Sequence, residues 1–289
     1  MNEQEKSEQK PAALVLEHLE DGVLTLTLNR PERLNALNPP LMRALTDAVR
    51  AAADNHHARV VVITGAGKAF CAGGDIGGKP ERKEQSAEEK AAAAERAAKR
   101  APDNVTTRIE WLRGNMEAAR VLHEMGKPTI AMIRGATVSV GMALAAACDF
   151  RVVSERASFT TAFVRVGLTG DYGASYFLTR LLGGARAREL MLLSDTIDAA
   201  QANAMGMVSR LVPDDALETA TMELARRLAA GPSATYRLMK KNLAAAAEGT
   251  LTDMLDLEAT HMVLAAQTDE HREAVRAFVE KRPPVFHGS

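Results

Sequence analysis

The sequence predicts an α/β fold that ends in a purely helical module, on three observations. Short apolar, β-branched runs alternate with glycine turns and helical patterns as far as about Asp214. Some of these runs, such as RVVVITG (59–65), are continuously apolar, the pattern of a strand buried on both faces. Beyond Asp214 only helical periodicity remains, in four amphipathic pieces. That shift divides the chain into a core, residues 1–214, and a C-terminal helical module, residues 215–289.

Taken in order, LVLEHL (14–19) and VLTLTLN (23–29) flank Glu20-Asp21-Gly22 and predict a β-hairpin. Pro39-Pro40 opens a helix running to about Asp54. The buried strand 59–65 leads into a glycine-rich loop, GAGKAFCAGGDIGG. Residues 79–104 are rich in charge and alanine with few large apolar side chains, which predicts a mobile or solvated insertion. A helix from about Val105 to Met125 follows, then the strand PTIAMIRG (128–135), the turn GATVSVG and a small-residue helix, MALAAAC. The strand DFRVVS (149–154) precedes a second glycine-rich loop, GLTGDYGAS (167–175).

Composition limits the function. Lys+Arg 36 against Asp+Glu 37 leaves a net charge of -1, so no global field favours nucleic acid or an anionic membrane. Two cysteines, Cys71 and Cys148, make neither a disulfide framework nor a metal motif, and both are expected to be small buried hydrophobes. The charged N-terminus, MNEQEKSEQKPAA, is no signal peptide, and no apolar run is long enough to span a bilayer. A cytoplasmic protein without metal is the expectation.

Two features suggest chemistry. GKAFCAGGDI and RGATVSVG each put a backbone N–H at a strand-to-helix junction, and two converging donors form an oxyanion hole. Neither turn has phosphate-loop or dinucleotide spacing. Asp171 is the one carboxylate in the GLTGDYGAS loop, either a helix cap or an acid–base group in an apolar pocket.

The chain resembles the crotonase family, the enoyl-CoA hydratase/isomerase superfamily, in NRPERLNALN (29–38), VVVITGAGKAFCAGGDI (60–76), KPTIAMIRGATVSVGMALAAACDF (127–150), the GLTGDYGAS loop and AFVEKRPPVF (277–286). The resemblance implies a spiral of β-β-α units, assembly as trimers or hexamers, and an acyl-CoA thioester as substrate. Coenzyme A then enters as part of the substrate, with no separate cofactor. It implies oxyanion donors at the N–H groups of Gly74 and Val140, with Ala72, Gly73 and Gly141 small enough for close approach. Arg33, Leu34 and Ala36 would line the coenzyme A channel, Ala72, Asp75 and Ile76 its adenine end. Phe278 and Lys281 would close the channel, from the same chain or a neighbouring subunit.

The sequence departs from the family's hydratases, whose two glutamates fall here on Ala143 and Phe163, neither able to carry a proton. Asp171 stands where several of the family's isomerases carry their acid–base aspartate, in a pocket expected to be lined by Phe163, Val166 and Tyr172. Dehalogenases of the family share this aspartate but add a histidine on the preceding helix, and His123 here is expected to lie outside the site. Double-bond or ring isomerisation through Asp171 is therefore expected. The alternatives are hydration by Asp171 with a backbone-held water, aryl-CoA dehalogenation, and a non-catalytic CoA-binding scaffold.

Overall fold

The computed structural model describes residues 12–75 and 104–286. The readings of Ile76, of the insertion from residue 79 and of the first eleven residues lie outside them. The hairpin forms from β1 (Val15–Glu20) and β2 (Val23–Leu28) around Asp21 and Gly22, both at positive φ, the geometry that joins antiparallel strands in two residues. The helix α1 (Pro39–Asp54) starts on its two prolines, and the Asn38 side chain accepts the Leu41 N–H at 3.0 Å.

Strands β3 (Val60–Gly65), β4 (Thr129–Ile133), β6 (Phe150–Ser154) and β9 (Arg210–Val212) extend the hairpin into a six-stranded sheet, parallel from β2 onward. Successive residues of these strands serve opposite cores. Val60, Val62, Ile130 and Val152 pack with Leu217, Leu224 and Ala225 on one face, while Val61, Ile63, Ala131 and Val153 join the larger core on the other. Two covered faces explain the unbroken apolar runs of the sequence.

Three short strands, β5 (Ala136–Val138), β7 (Ser158–Thr160) and β8 (Ile197–Asp198), form a second sheet. Single bridges from Cys71 to Thr137 and from Leu37 to Gly74 continue this sheet outward. Each turn of the chain thus gives a long strand to one sheet, a short one to the other, and then a helix. The stretch GATVSVG, expected as a turn, contains β5 because its main chain bonds to Cys71 on one side and pairs with β7 on the other.

The expected helix 105–125 is broken into α2 (Val105–Asn115) and α3 (Glu117–Glu124). The Asn115 carbonyl accepts from the buried Thr46 hydroxyl at 3.1 Å, and the Ala119 N–H turns to Met116 instead. After α4 (Val140–Ala147), α5 (Ala174–Leu193) and α6 (Ala199–Ala204) come the last four helices: α7 (Leu217–Ala229), α8 (Ser233–Ala246), α9 (Leu251–Ala266) and α10 (Asp269–Val279). Among the described residues no helix is long and apolar enough to cross a membrane.

Candidate active site

The two glycine turns meet. A side chain at Gly141 would come within 2.6 Å of the Cys71 carbonyl oxygen, and one at Gly73 within 3.1 Å of the Ser139 side chain. Glycine is required at 141 because backbone lies where a Cβ would be, and at 73 because its φ of 94 is one that other residues rarely adopt. Gly74, by contrast, faces open space, and among the described residues its N–H has no acceptor. Val140 is the first residue of α4, where a helix has no internal partner for its N–H. Ser139 before it sits at φ 52, a conformation that costs a non-glycine residue about 1–3 kcal/mol. It is held there by donating its N–H to Thr160 and accepting from Ala143.

The segment 71–75 is sewn to the loop 33–37. Ala72 donates to Leu34, Leu37 to Gly73, and Asp75 to Leu37, all at 2.8–2.9 Å. Under this seam lies Asn35, fully buried, whose amide accepts the Arg30 N–H and donates to the carbonyls of Ala66 and Ala69. The Asp75 carboxylate takes Arg30 at 3.0 Å and Arg33 at 3.1 Å, which ties this segment to the loop. Arg33 itself is exposed, Leu34 half-buried and Ala36 buried.

Asp171 lies in the loop before α5. It does not cap that helix, whose first residue is Ala174, preceded by Gly173 at φ 76 with no side-chain cap. Its Oδ1 is sealed from solvent without a hydrogen-bond partner, and burial pushes its carboxyl up to about 6. The Phe163 ring lies 3.7 Å from where a side chain on Gly170 would begin, so an apolar wall stands beside the acid. The Asp171 charge acts on the Cys71 thiol, which burial above all raises to about 12. The acid therefore stands near the meeting point of the two turns, and Cys71 is a buried apolar contact rather than a nucleophile.

The chain is similar to known proteins over nearly its whole length. The enoyl-CoA hydratase/isomerase family model matches residues 18–289. The chain belongs to this family. It is 34% identical over 274 residues to the 1,2-epoxyphenylacetyl-CoA isomerase of Escherichia coli (strain K12), covering 95% of this chain and 98% of the relative. The crotonyl-CoA hydratase of Syntrophomonas wolfei is 31% identical over 271 residues, covering 92% and 95%. A solved enoyl-CoA hydratase from Bacillus anthracis superposes with a TM-score of 0.82 at 27% identity, over 96% of this chain and all of that one. The α/β fold with its two sheets is thus the crotonase fold.

Other residues of this crotonase differ widely in exposure. Val166 lies on a short 3-10 turn, Val164–Val166, and is 50% exposed, because the turn and Gly167 swing the segment outward from the buried Phe163. Phe278 is 85% exposed and Lys281 is exposed beyond the end of α10. The tail after them is pinned by Arg59, which donates to the Phe286 carbonyl just before β3 begins. The turn 71–75 follows the other end of that strand. His123, expected outside the site, packs on Phe177 at 5.1 Å between ring centroids. With Met116, Tyr172, Gly173 and Tyr176 it walls a cavity of about 340 Å³ beside the aspartate loop. The sequence hid this because the break at Met116 changes which face of the helix points inward. Glu117 is taken by Arg113 and Arg120, and the Arg120 contact above all brings it down to about 2. Ala143 and Phe163, at the hydratase glutamate positions, are both buried.

Proposed function

We propose that the protein is an acyl-CoA isomerase that moves a proton along the acyl group of a thioester. In this reading the thioester oxygen lies between the N–H groups of Gly74 and Val140, which face the charge that develops on it. Asp171 removes a proton from the acyl chain, the electrons pass to the carbonyl as an enolate, and the same carboxyl returns the proton to another carbon. The observation that carries the reading is Asp171: a half-buried carboxyl raised to about 6 by burial, with no second ionisable group contributing to the shift. Such a group is poised to accept and give back a proton near neutral pH. With a methyl at 143 and a phenyl at 163, no second carboxylate from those positions is present to activate water. Relatives of both names, isomerase and hydratase, are similar over nearly the whole chain.

Deuterium exchange at the acidic carbon of an enoyl-CoA or arylacetyl-CoA thioester tests the step, since it reports proton removal even without net product. Asp171→Asn is expected to slow exchange by about a hundredfold or more. Exchange at the wild-type rate in this variant refutes the assignment. Products that gain the mass of one water, rather than keeping the substrate mass, identify a hydratase instead.

A further inference from the structure

A cavity of about 460 Å³ lies away from the candidate active site, between the main sheet, α7 and α8. The oxyanion turns follow the carboxyl ends of β3 and β4, whereas this cavity sits where β6 and β9 begin, at Phe150 and Arg210. These strands run parallel, so the two places face opposite ends of the sheet, on the order of 15 Å apart at a rise of about 3.3 Å per residue. The walls carry more positive charge than they balance. Arg210 is half-buried and Arg227 exposed, and neither guanidinium has a hydrogen bond or ion pair among the described residues. The acids near the start of α7's outer face go to Arg226, which takes Glu20 and Asp21. Arg151, 8% exposed, donates to the carbonyls of Cys148, Asp149 and Met207 and to no carboxylate among the described residues. Asp149, the carboxylate on this wall, is already taken: it accepts from the Thr129 N–H and hydroxyl and pairs with Lys240 at 2.6 Å.

A lone exposed arginine is ordinary solvated surface. Here two share one cavity with a hydroxyl and two aromatic rings. The Ser209 hydroxyl accepts the Arg151 N–H at 3.1 Å, which leaves its own hydrogen to give. Phe150, Tyr236 and Leu224 supply apolar walls. A compact cavity of this volume is about 10 Å across, the span of a small ring carrying a phosphate. Guanidinium forks match phosphate oxygens, and a phosphate monoester brings about two negative charges at neutral pH, one for each arginine. We propose that this cavity is a second ligand site, separate from the acyl-CoA site, that takes a ring-bearing phosphate ester. The phosphate lies between Arg210 and Arg227 with the Ser209 hydroxyl donating to it, and the ring packs against Phe150 and Tyr236. The proposal stands independently of the isomerase reading.

Calorimetric titration of the full chain with phenyl phosphate, inorganic phosphate and benzoate tests it, each with and without saturating coenzyme A. Phenyl phosphate is expected to bind about tenfold more tightly than either of the other two, and equally well when coenzyme A is present. Arg210→Gln and Arg227→Gln are each expected to weaken it about tenfold or more, the scale of a hydrogen bond to a charged group. Both variants should melt as the wild type does, since neither side chain has a partner to lose. Arg210→Lys keeps the charge without the fork and is expected to fall between wild type and Arg210→Gln. Wild-type affinity in both glutamine variants overturns the proposal. So does the absence of binding at millimolar phenyl phosphate, binding of inorganic phosphate as tight as that of the ester, or displacement of the ester by coenzyme A.

Discussion

Asp171 holds its carboxyl where burial is the one cause shifting it, and the consequence for stability has a definite sign. Its ordinary value is 3.8 and its folded value about 6. An acid raised on folding takes up a proton between those two values. The ionised form therefore subtracts stability above about pH 6 and subtracts nothing below about pH 4. Asp171→Asn, of the same size and uncharged, is expected to melt a few degrees above wild type at pH 8, the gain shrinking as pH falls through 6 and vanishing near 4. Catalysis runs the opposite way: proton removal needs the ionised form, so wild-type turnover should fall as the pH drops through about 6 while the fold becomes no weaker. A variant less stable than wild type at pH 8 would mean the carboxylate has a stabilising partner. The aspartate's place in a glycine loop was visible in the sequence. The absence of a partner was not, because capping and isolation follow from the same residue type and differ only in where the helix starts.

At the scale of elements, the site depends on a seam between two loops far apart in the chain. Asn35 makes three hydrogen bonds to main-chain groups of residues 30, 66 and 69, and no water reaches it. Asn35→Ala leaves one buried and two part-buried main-chain groups without their partner, which is expected to lower unfolding free energy by about 1–3 kcal/mol. Chemical denaturation monitored by circular dichroism measures this, and a loss below about 1 kcal/mol would show that the seam holds without it. Asn35 lies inside the quoted stretch NRPERLNALN, but a polar residue in a loop has no pattern that separates a buried amide from a solvated one. The longer strands β1, β2, β3, β4 and β6 were legible to within a residue or two, while the short strands β5, β7, β8 and β9 were not, since two or three residues leave no apolar period to read. The break at Met116 was not, because the Thr46 hydroxyl that takes the Asn115 carbonyl belongs to another helix.

At the scale of the molecule, the last helices are too bare for a lone chain. Of the 16 residues of α9 only Met254 is buried, and of the 14 of α8 only Ala234. Leu243, Leu251, Met262, Phe278 and Val279 are each more than 70% exposed. Helices in water draw most of their stability from packing an apolar face, so these faces call for a partner. Light scattering is expected to give a mass three or six times the chain's 31.0 kDa, and a monomer at micromolar concentration would remove that account. An assembly would also cover Phe278 and Lys281, both exposed in the single chain.

From the sequence alone followed the α/β class, the order of its longer strands and most of its helices, the two glycine turns and the lone acid in the later glycine loop. These are local matters: apolar period, glycine at close approaches, proline at a helix start. Only the tertiary structure decided that Gly141 rests against Cys71, that Ser139 sits at positive φ before α4, that Asp75 pairs with two arginines, and that Asp171 and Tyr172 each keep a buried oxygen without a partner among the described residues. Such facts depend on which segments meet in space, and hydrogen-bond satisfaction is a property of the neighbours a group acquires on folding rather than of the residue that carries it.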